Sequence, residues 1–166
     1  AGEMGDGGGS PYLNRALAAY EPGSVFKIAV AAAALEAGVC RPSDTFRDPG
    51  FAQVGGRMIK CYSFEQGGHG TVSLARAMAV SCNTAFVNLG ALVGPRRLIE
   101  VASRMGFGHS TGLGLAEEAP GRVPDPSGVT PGDLANISIG QGEVLATPVQ
   151  VACAMAAIAG GGVVVP

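Results

Sequence analysis

Ser24-Val25-Phe26-Lys27 places a hydroxyl and an amine three residues apart at the entrance to an apolar stretch. On a helix that spacing brings the two side chains to one face, a turn apart. A serine hydroxyl at its free pKa is a weak nucleophile and needs an adjacent base. A lysine amine serves as one when its pKa is lowered, which burial and the positive end of a helix dipole both achieve. Lys27 meets both conditions, and the same helix end favours negative charge developing beside Ser24. The competing assignment is an N-capping serine beside a solvated lysine. Lys27 and Lys60 are the only lysines in the chain, and one of them lies in its most apolar helix, which argues against that assignment.

A second group, Ser81-Cys82-Asn83, falls in a break between two helical stretches. A hydroxyl there can relay a proton between an amine and a leaving group, and an amide can fix a carbonyl or hold the amine. Taken alone, the three residues also suit an inter-helix turn with capping Ser and Asn. No other constellation is as complete. His69 and His109 sit beside glycines without a triad partner, and no catalytic role is expected for either. Glu117 and Glu118 lie in a Gly/Pro-rich stretch and read as a surface turn. Cys40, Cys61, Cys82 and Cys153 form no CxxC pair, and neither His has a Cys at zinc-ligand spacing, so no metal site is expected. Four cysteines allow three disulfide connectivities, among which the sequence does not choose; buried free thiols are the preferred reading.

The elements that must position these groups are mostly helical. Pro22-Gly23 breaks the chain, and a helix is expected over 24–37 with Ser24 as N-cap and Gly38 after its end. Residues 50–62 read as a hairpin about Gly55-Gly56, followed by a loop through Gly70. Thr71 or Ser73 can cap a short helix carrying Leu74, Ala77 and Met78 on one face. Helices are expected over 84–93 and from Pro95 to about Met105. Residues 107–130 look irregular, and Thr147-Pro148-Val149-Gln150 is a capping box opening a helix to about Ala159. Val163 to Pro166 looks like the start of a strand.

Composition excludes several classes. The net charge is −2 with 14% charged residues, and Arg96-Arg97 is the densest basic pair, which argues against a nucleic-acid partner. With 47% apolar residues the chain is no disordered tail. Its longest apolar run, Ile28 to Leu35, is far short of the ~20 residues a membrane span needs.

Ser-x-x-Lys followed by Ser-x-Asn is two-thirds of a known acyl-transfer signature. Three stretches, YEPGSVFKI, GGHGTVSLARAMAVSCNTAFVNLG and ISIGQGEVLATPVQVACAMAAIAGGG, closely resemble class B penicillin-binding proteins. The resemblance runs from about Asn14 to Val165 and includes ordinary helical sequence between the motifs. It implies a mainly α structure: the helical part of the serine β-lactamase/penicillin-binding-protein transpeptidase fold, with a small β-hairpin and most of the central sheet absent. Residues 1–13 would be a Gly-rich linker and 14–166 a partial transpeptidase domain. It further implies that Ser24 is the acylated nucleophile, Lys27 the base, Ser81 the proton shuttle and Asn83 the amide contacting substrate and Lys27. Gly140-Gln141-Gly142 matches a loop that shapes the cleft.

The activity implied is peptidoglycan D,D-transpeptidation at the extracytoplasmic face of the membrane, with the anchor outside this chain and no cofactor. Stem peptides and β-lactams would be its ligands, and cell-wall synthesis proteins its partners. One departure stands out: the third motif, Lys-Thr-Gly, is absent, since no lysine follows Lys60. The chain alone is therefore expected to turn over little or nothing. A β-lactamase or β-lactam sensor is the related alternative, and a non-catalytic scaffold the unrelated one.

Overall fold

A computed structural model describes residues 14–163, so the expected linker over 1–13 and residues 164–166 of the expected strand lie outside the described residues. Six α-helices are described: α1 (Lys27–Glu36), α2 (Leu74–Ala79), α3 (Asn83–Val93), α4 (Pro95–Arg104), α5 (Pro131–Ile137) and α6 (Pro148–Ala159). Four short strands, β1 (Thr45–Asp48), β2 (Phe51–Val54), β3 (Arg57–Lys60) and β4 (Gly70–Ser73), make two antiparallel pairs, β1 with β4 and β2 with β3.

Local sequence explains most boundaries. Ser73 caps α2 by accepting from the Arg76 N–H at 3.1 Å. Thr130/Asp133 and Thr147/Gln150 form complete capping boxes at α5 and α6, each with proline at the first helical position. The β2–β3 hairpin turns on Gly55 and Gly56, at φ +55° and +79°, which only glycine adopts without strain.

The core sits where α1 crosses α3 and α4. Ala29, Ala33 and Ala34 let α1 approach its neighbours closely, while Phe26, Phe86 and Leu98 fill the volume they leave. Phe26 meets Phe107 edge-on at a centroid distance of 5.1 Å, a favoured aromatic geometry. On α3, Gly90 permits contact with α5, because a Cβ there would lie only 1.8 Å from Ser138 Oγ.

The entrance to α1 differs from expectation. Ser24 is not an N-cap: Gly23–Phe26 forms a 3₁₀ turn capped by Pro22 without a side-chain hydrogen bond, and regular α-helix begins only at Lys27. Gly23 takes φ +58°, a left-handed start that an α-helical N-terminus does not use. The difference has a chemical consequence, since side chains at i and i+3 eclipse in a 3₁₀ turn. Ser24 and Lys27 therefore stand directly over one another. Strands β1 and β4 and helix α5 are additions that the sequence patterns did not suggest.

Candidate active site

Lys27 is the hub. Its residue is only 1% exposed although it carries an ammonium-forming group. Burial lowers its pKa to about 8, against the smaller opposing influence of Cys61 and Cys82. The Nζ atom reaches Ser81 O at 2.8 Å, Asn83 Oδ1 at 2.7 Å, Ser81 Oγ at 2.9 Å and Ser24 Oγ at 3.2 Å. Ser81 Oγ in turn stands 2.8 Å from Ser24 Oγ. All four residues singled out by the motifs thus converge on one point.

Donor and acceptor counting gives this cluster a direction. A neutral lysine amine has two N–H bonds and one lone pair. Ser81 O is a pure acceptor, and so is Asn83 Oδ1 while its Nδ2 donates to Lys60 O at 2.9 Å. These two oxygens take both N–H bonds, so the lone pair is left facing the Ser24 and Ser81 hydroxyls. The amine can accept the Ser24 proton directly, or through Ser81 by a second short step. When the amine is neutral, its lone pair is so oriented before any substrate arrives.

The corner that aims Ser81 is strained. Ser81 has φ +50°, and it is the only non-glycine with positive φ among the described residues. That conformation costs an L-residue roughly 1–2 kcal/mol. It is held by the end of α2, where Ser81 N donates to Met78 O at 3.0 Å and Cys82 N to Ala77 O at 2.8 Å. What the strain achieves is that one residue presents both its carbonyl and its hydroxyl to Lys27. Asn83 follows as the first residue of α3, and its backbone N–H donates to Cys61 Sγ at 3.3 Å.

Ser24 itself is exposed. As the second residue of the 3₁₀ turn, its N–H belongs to the first-turn donors that lack an intrahelical acceptor, so it can serve an oxyanion. The loop Gly140-Gln141-Gly142 packs directly behind the turn: Gly23 N donates to Gly140 O at 2.8 Å. The groups judged non-catalytic are engaged elsewhere. His109 Nε2 contacts Ser103 Oγ at 2.6 Å, and Glu118 accepts from Thr111 N at 2.7 Å. Glu117 is exposed.

Beside the site lies a group that cysteine spacing did not reveal. Asp48, Cys61, His69 and Cys82 bring one ligand atom each within 4.8 Å of one another. His69 Nδ1 is 2.6 Å from Asp48 Oδ2 and 3.6 Å from Cys61 Sγ. The His69 Nε2 atom is buried without a hydrogen-bond partner. Two sulfurs, an imidazole and a carboxylate are donors that zinc takes. As they stand, His69 Nδ1 and Asp48 Oδ2 are at hydrogen-bond distance, and a tetrahedral ion among the four would draw them apart. Such an ion would tie the end of β1, the residue after β3, the residue before β4 and the Ser81–Asn83 corner together. The donors are spread over residues 48–82 and meet only because β1 pairs with β4 and the chain returns under α3, which is why no compact motif announces them.

The family described as penicillin binding protein transpeptidase domain matches residues 2–166. Stage V sporulation protein D of Bacillus subtilis is 40% identical over 144 residues, 86% of this chain and 22% of that protein. Peptidoglycan D,D-transpeptidase MrdA of Escherichia coli is 34% identical over 164 residues, 93% of this chain and 26% of that protein. The crystal structure of penicillin binding protein 3 from Mycobacterium tuberculosis, complexed with aztreonam, superposes with a TM-score of 0.83 at 33% identity, covering 99% of this chain and 36% of that one. This chain thus spans only about a quarter of the length of these two curated relatives.

Proposed function

The chain belongs to the penicillin-binding protein transpeptidase family, and on that premise we propose that it carries the acylation centre of a peptidoglycan D,D-transpeptidase. The observation that carries this reading is the place of the buried Lys27 Nζ, within 2.7–2.8 Å of two carbonyl acceptors and 2.9–3.2 Å of two hydroxyls. Ser24 Oγ attacks the penultimate D-Ala carbonyl of a stem peptide, forming a new C–O bond. Its proton passes to Lys27, directly or through Ser81. The Ser24 N–H holds the developing oxyanion. As the C–N bond breaks, the proton is delivered to the departing D-Ala amine. An amine from a neighbouring stem peptide then attacks the acyl-enzyme, and Ser24 Oγ recovers a proton as it leaves.

The same centre reacts with β-lactams by ring opening, and a relative's complex with aztreonam is in keeping with that. No lysine follows Lys60 in the sequence, so these residues alone offer no Lys-Thr-Gly to supply a second oxyanion donor or a carboxylate contact. The place of action is the outer face of the cytoplasmic membrane, where stem peptides are found. Among the described residues no helix is long and apolar enough to cross a membrane.

The test is labelling of the full-length protein with a fluorescent penicillin, followed by peptide mass spectrometry. One adduct on the peptide containing Ser24, abolished in Ser24→Ala, is expected. A label elsewhere, or one that survives in Ser24→Ala, overturns the reading. Rapid loss of the adduct with release of hydrolysed drug makes the protein a β-lactamase instead.

A further inference from the structure

The turn that presents Ser24 has no capping side chain at its start, so something else must hold its entrance. Segment 20–23 is fastened at three points to segment 140–146. Tyr20 and Ala146 exchange two backbone hydrogen bonds, at 2.9 and 2.8 Å. Gly23 N donates to Gly140 O at 2.8 Å. Between these, the Glu21 carboxylate accepts from Gly142 N at 2.9 Å. This is the one tie of the three made by a side chain.

The far side of this seam is firm. Gly140 N donates to Ile137 O at 2.8 Å and Gln141 N to Asn136 O at 3.0 Å, which locks the loop to the end of α5. The contact is also close: a Cβ on Gly140, at φ +75°, would stand 1.9 Å from Gly23 O. Any shift of residues 140–142 is therefore passed straight to Gly23 and on to Ser24. The bond most exposed to such a shift is Ser24 Oγ to Lys27 Nζ, which at 3.2 Å is the longest of the four that Lys27 makes.

We propose that Glu21 is a positioning residue for acylation: its carboxylate, by holding Gly142, clamps the 140–142 loop against the turn and sets the Ser24 hydroxyl over the amine. The proposal rests on the reading of Ser24 as nucleophile. What matters is an acceptor oxygen at the end of a side chain of this length, since Gly142 N–H is a neutral donor. Glutamine keeps that oxygen and alanine removes it.

The full-length protein, with Glu21→Ala and Glu21→Gln variants, is titrated with a fluorescent penicillin in a stopped-flow instrument, separating reversible binding from the first-order acylation step. Misplacing a reacting group by a fraction of an ångström is expected to slow acylation about tenfold in Glu21→Ala, with the binding constant little changed. Glu21→Gln is expected to retain most of the rate. An acylation rate in Glu21→Ala equal to wild type overturns the proposal. So does a Glu21→Gln variant as slow as Glu21→Ala, which would assign the effect to charge. A loss confined to the binding constant overturns it too, as does unfolding of Glu21→Ala at the assay temperature, which would make the residue merely structural. Failure of the parent reading looks different: wild type itself would not be labelled at Ser24.

Discussion

Lys27 Nζ and Asn83 Oδ1 stand 2.7 Å apart, joined across 56 positions of sequence, and this pair decides which way the amine points. The Asn83 amide is itself held by Lys60 O, so it cannot flip without losing both bonds. Asn83→Ala should free the amine to turn its lone pair away from the hydroxyls. The acylation rate of the full-length protein is expected to fall by about 10²-fold, the lower end of what a positioned base contributes. Loss of an acceptor from the buried Lys27 amine should also destabilise the fold by about 1–3 kcal/mol, read from thermal unfolding.

The lowered pKa of Lys27 makes a two-part prediction about pH. On the proposed chemistry the neutral amine is the base, so the acylation rate should climb with pH and level off above about 8. For stability the sign follows from proton counting. An ordinary lysine titrates near 10.5, whereas the buried one releases its proton at about 8. Between those values the unfolded chain binds more protons than the folded one, so stability should rise with pH across that window. Below about 8 the penalty of burying the ammonium is fully present. Lys27→Met should flatten this rise in chemical denaturation measured at several pH values, and should remove acylation.

Removal of a metal offers an independent check on the Asp48, Cys61, His69 and Cys82 group. Full-length protein purified without chelators is expected to carry about one zinc per chain by elemental analysis, the stoichiometry of one tetrahedral site. Cys82→Ala or His69→Ala should lose it, and a strong chelator should lower the unfolding temperature of wild type only. Burial pushes the metal-free Cys82 thiol up to about 12, so zinc uptake should release protons, measurable in weakly buffered solution.

The core gives a prediction free of chemistry. Leu98 is fully buried in α4, so Leu98→Ala should cost about 2–5 kcal/mol of stability. The polar partners of Lys27 come from Ser24, Ser81 and Asn83, none of which the change removes, so the pH dependence of acylation should be retained while the midpoint of denaturation drops.

The four residues of the candidate site were legible because their proposed chemistry is written in short local spacings: Ser24 with Lys27, and Ser81 with Asn83. Each spacing survives in the fold because a helix start or a helix break fixes it locally. Capping boxes were legible for the same reason at Thr147, as was the hairpin at Gly55-Gly56. What was not legible depends on contacts distant in sequence. Strand β1 is only Thr45–Asp48, and nothing in its pattern shows that β4 will pair with it. His69 looked like a loop residue until that pairing set it against Asp48. The 3₁₀ start of α1 was hidden because an N-cap serine and a serine inside a tight turn leave the same trace in composition. Only Gly23, at φ +58°, distinguishes them, and its conformation answers to the Gly140 loop far along the chain.

Ser81 at φ +50° leads to a trap for molecular evolution. Glycine is the residue that would relax the corner, and the relief of roughly 1–2 kcal/mol would be offset only in part by glycine's greater freedom in the unfolded chain. Yet glycine has no hydroxyl to pass a proton. Any exchange that makes this position more comfortable disarms the centre, and on the proposed chemistry it does so towards drug and cell-wall peptide alike. On that chemistry, substitutions that keep the centre working would have to fall around Ser81 and leave that one awkward residue in place.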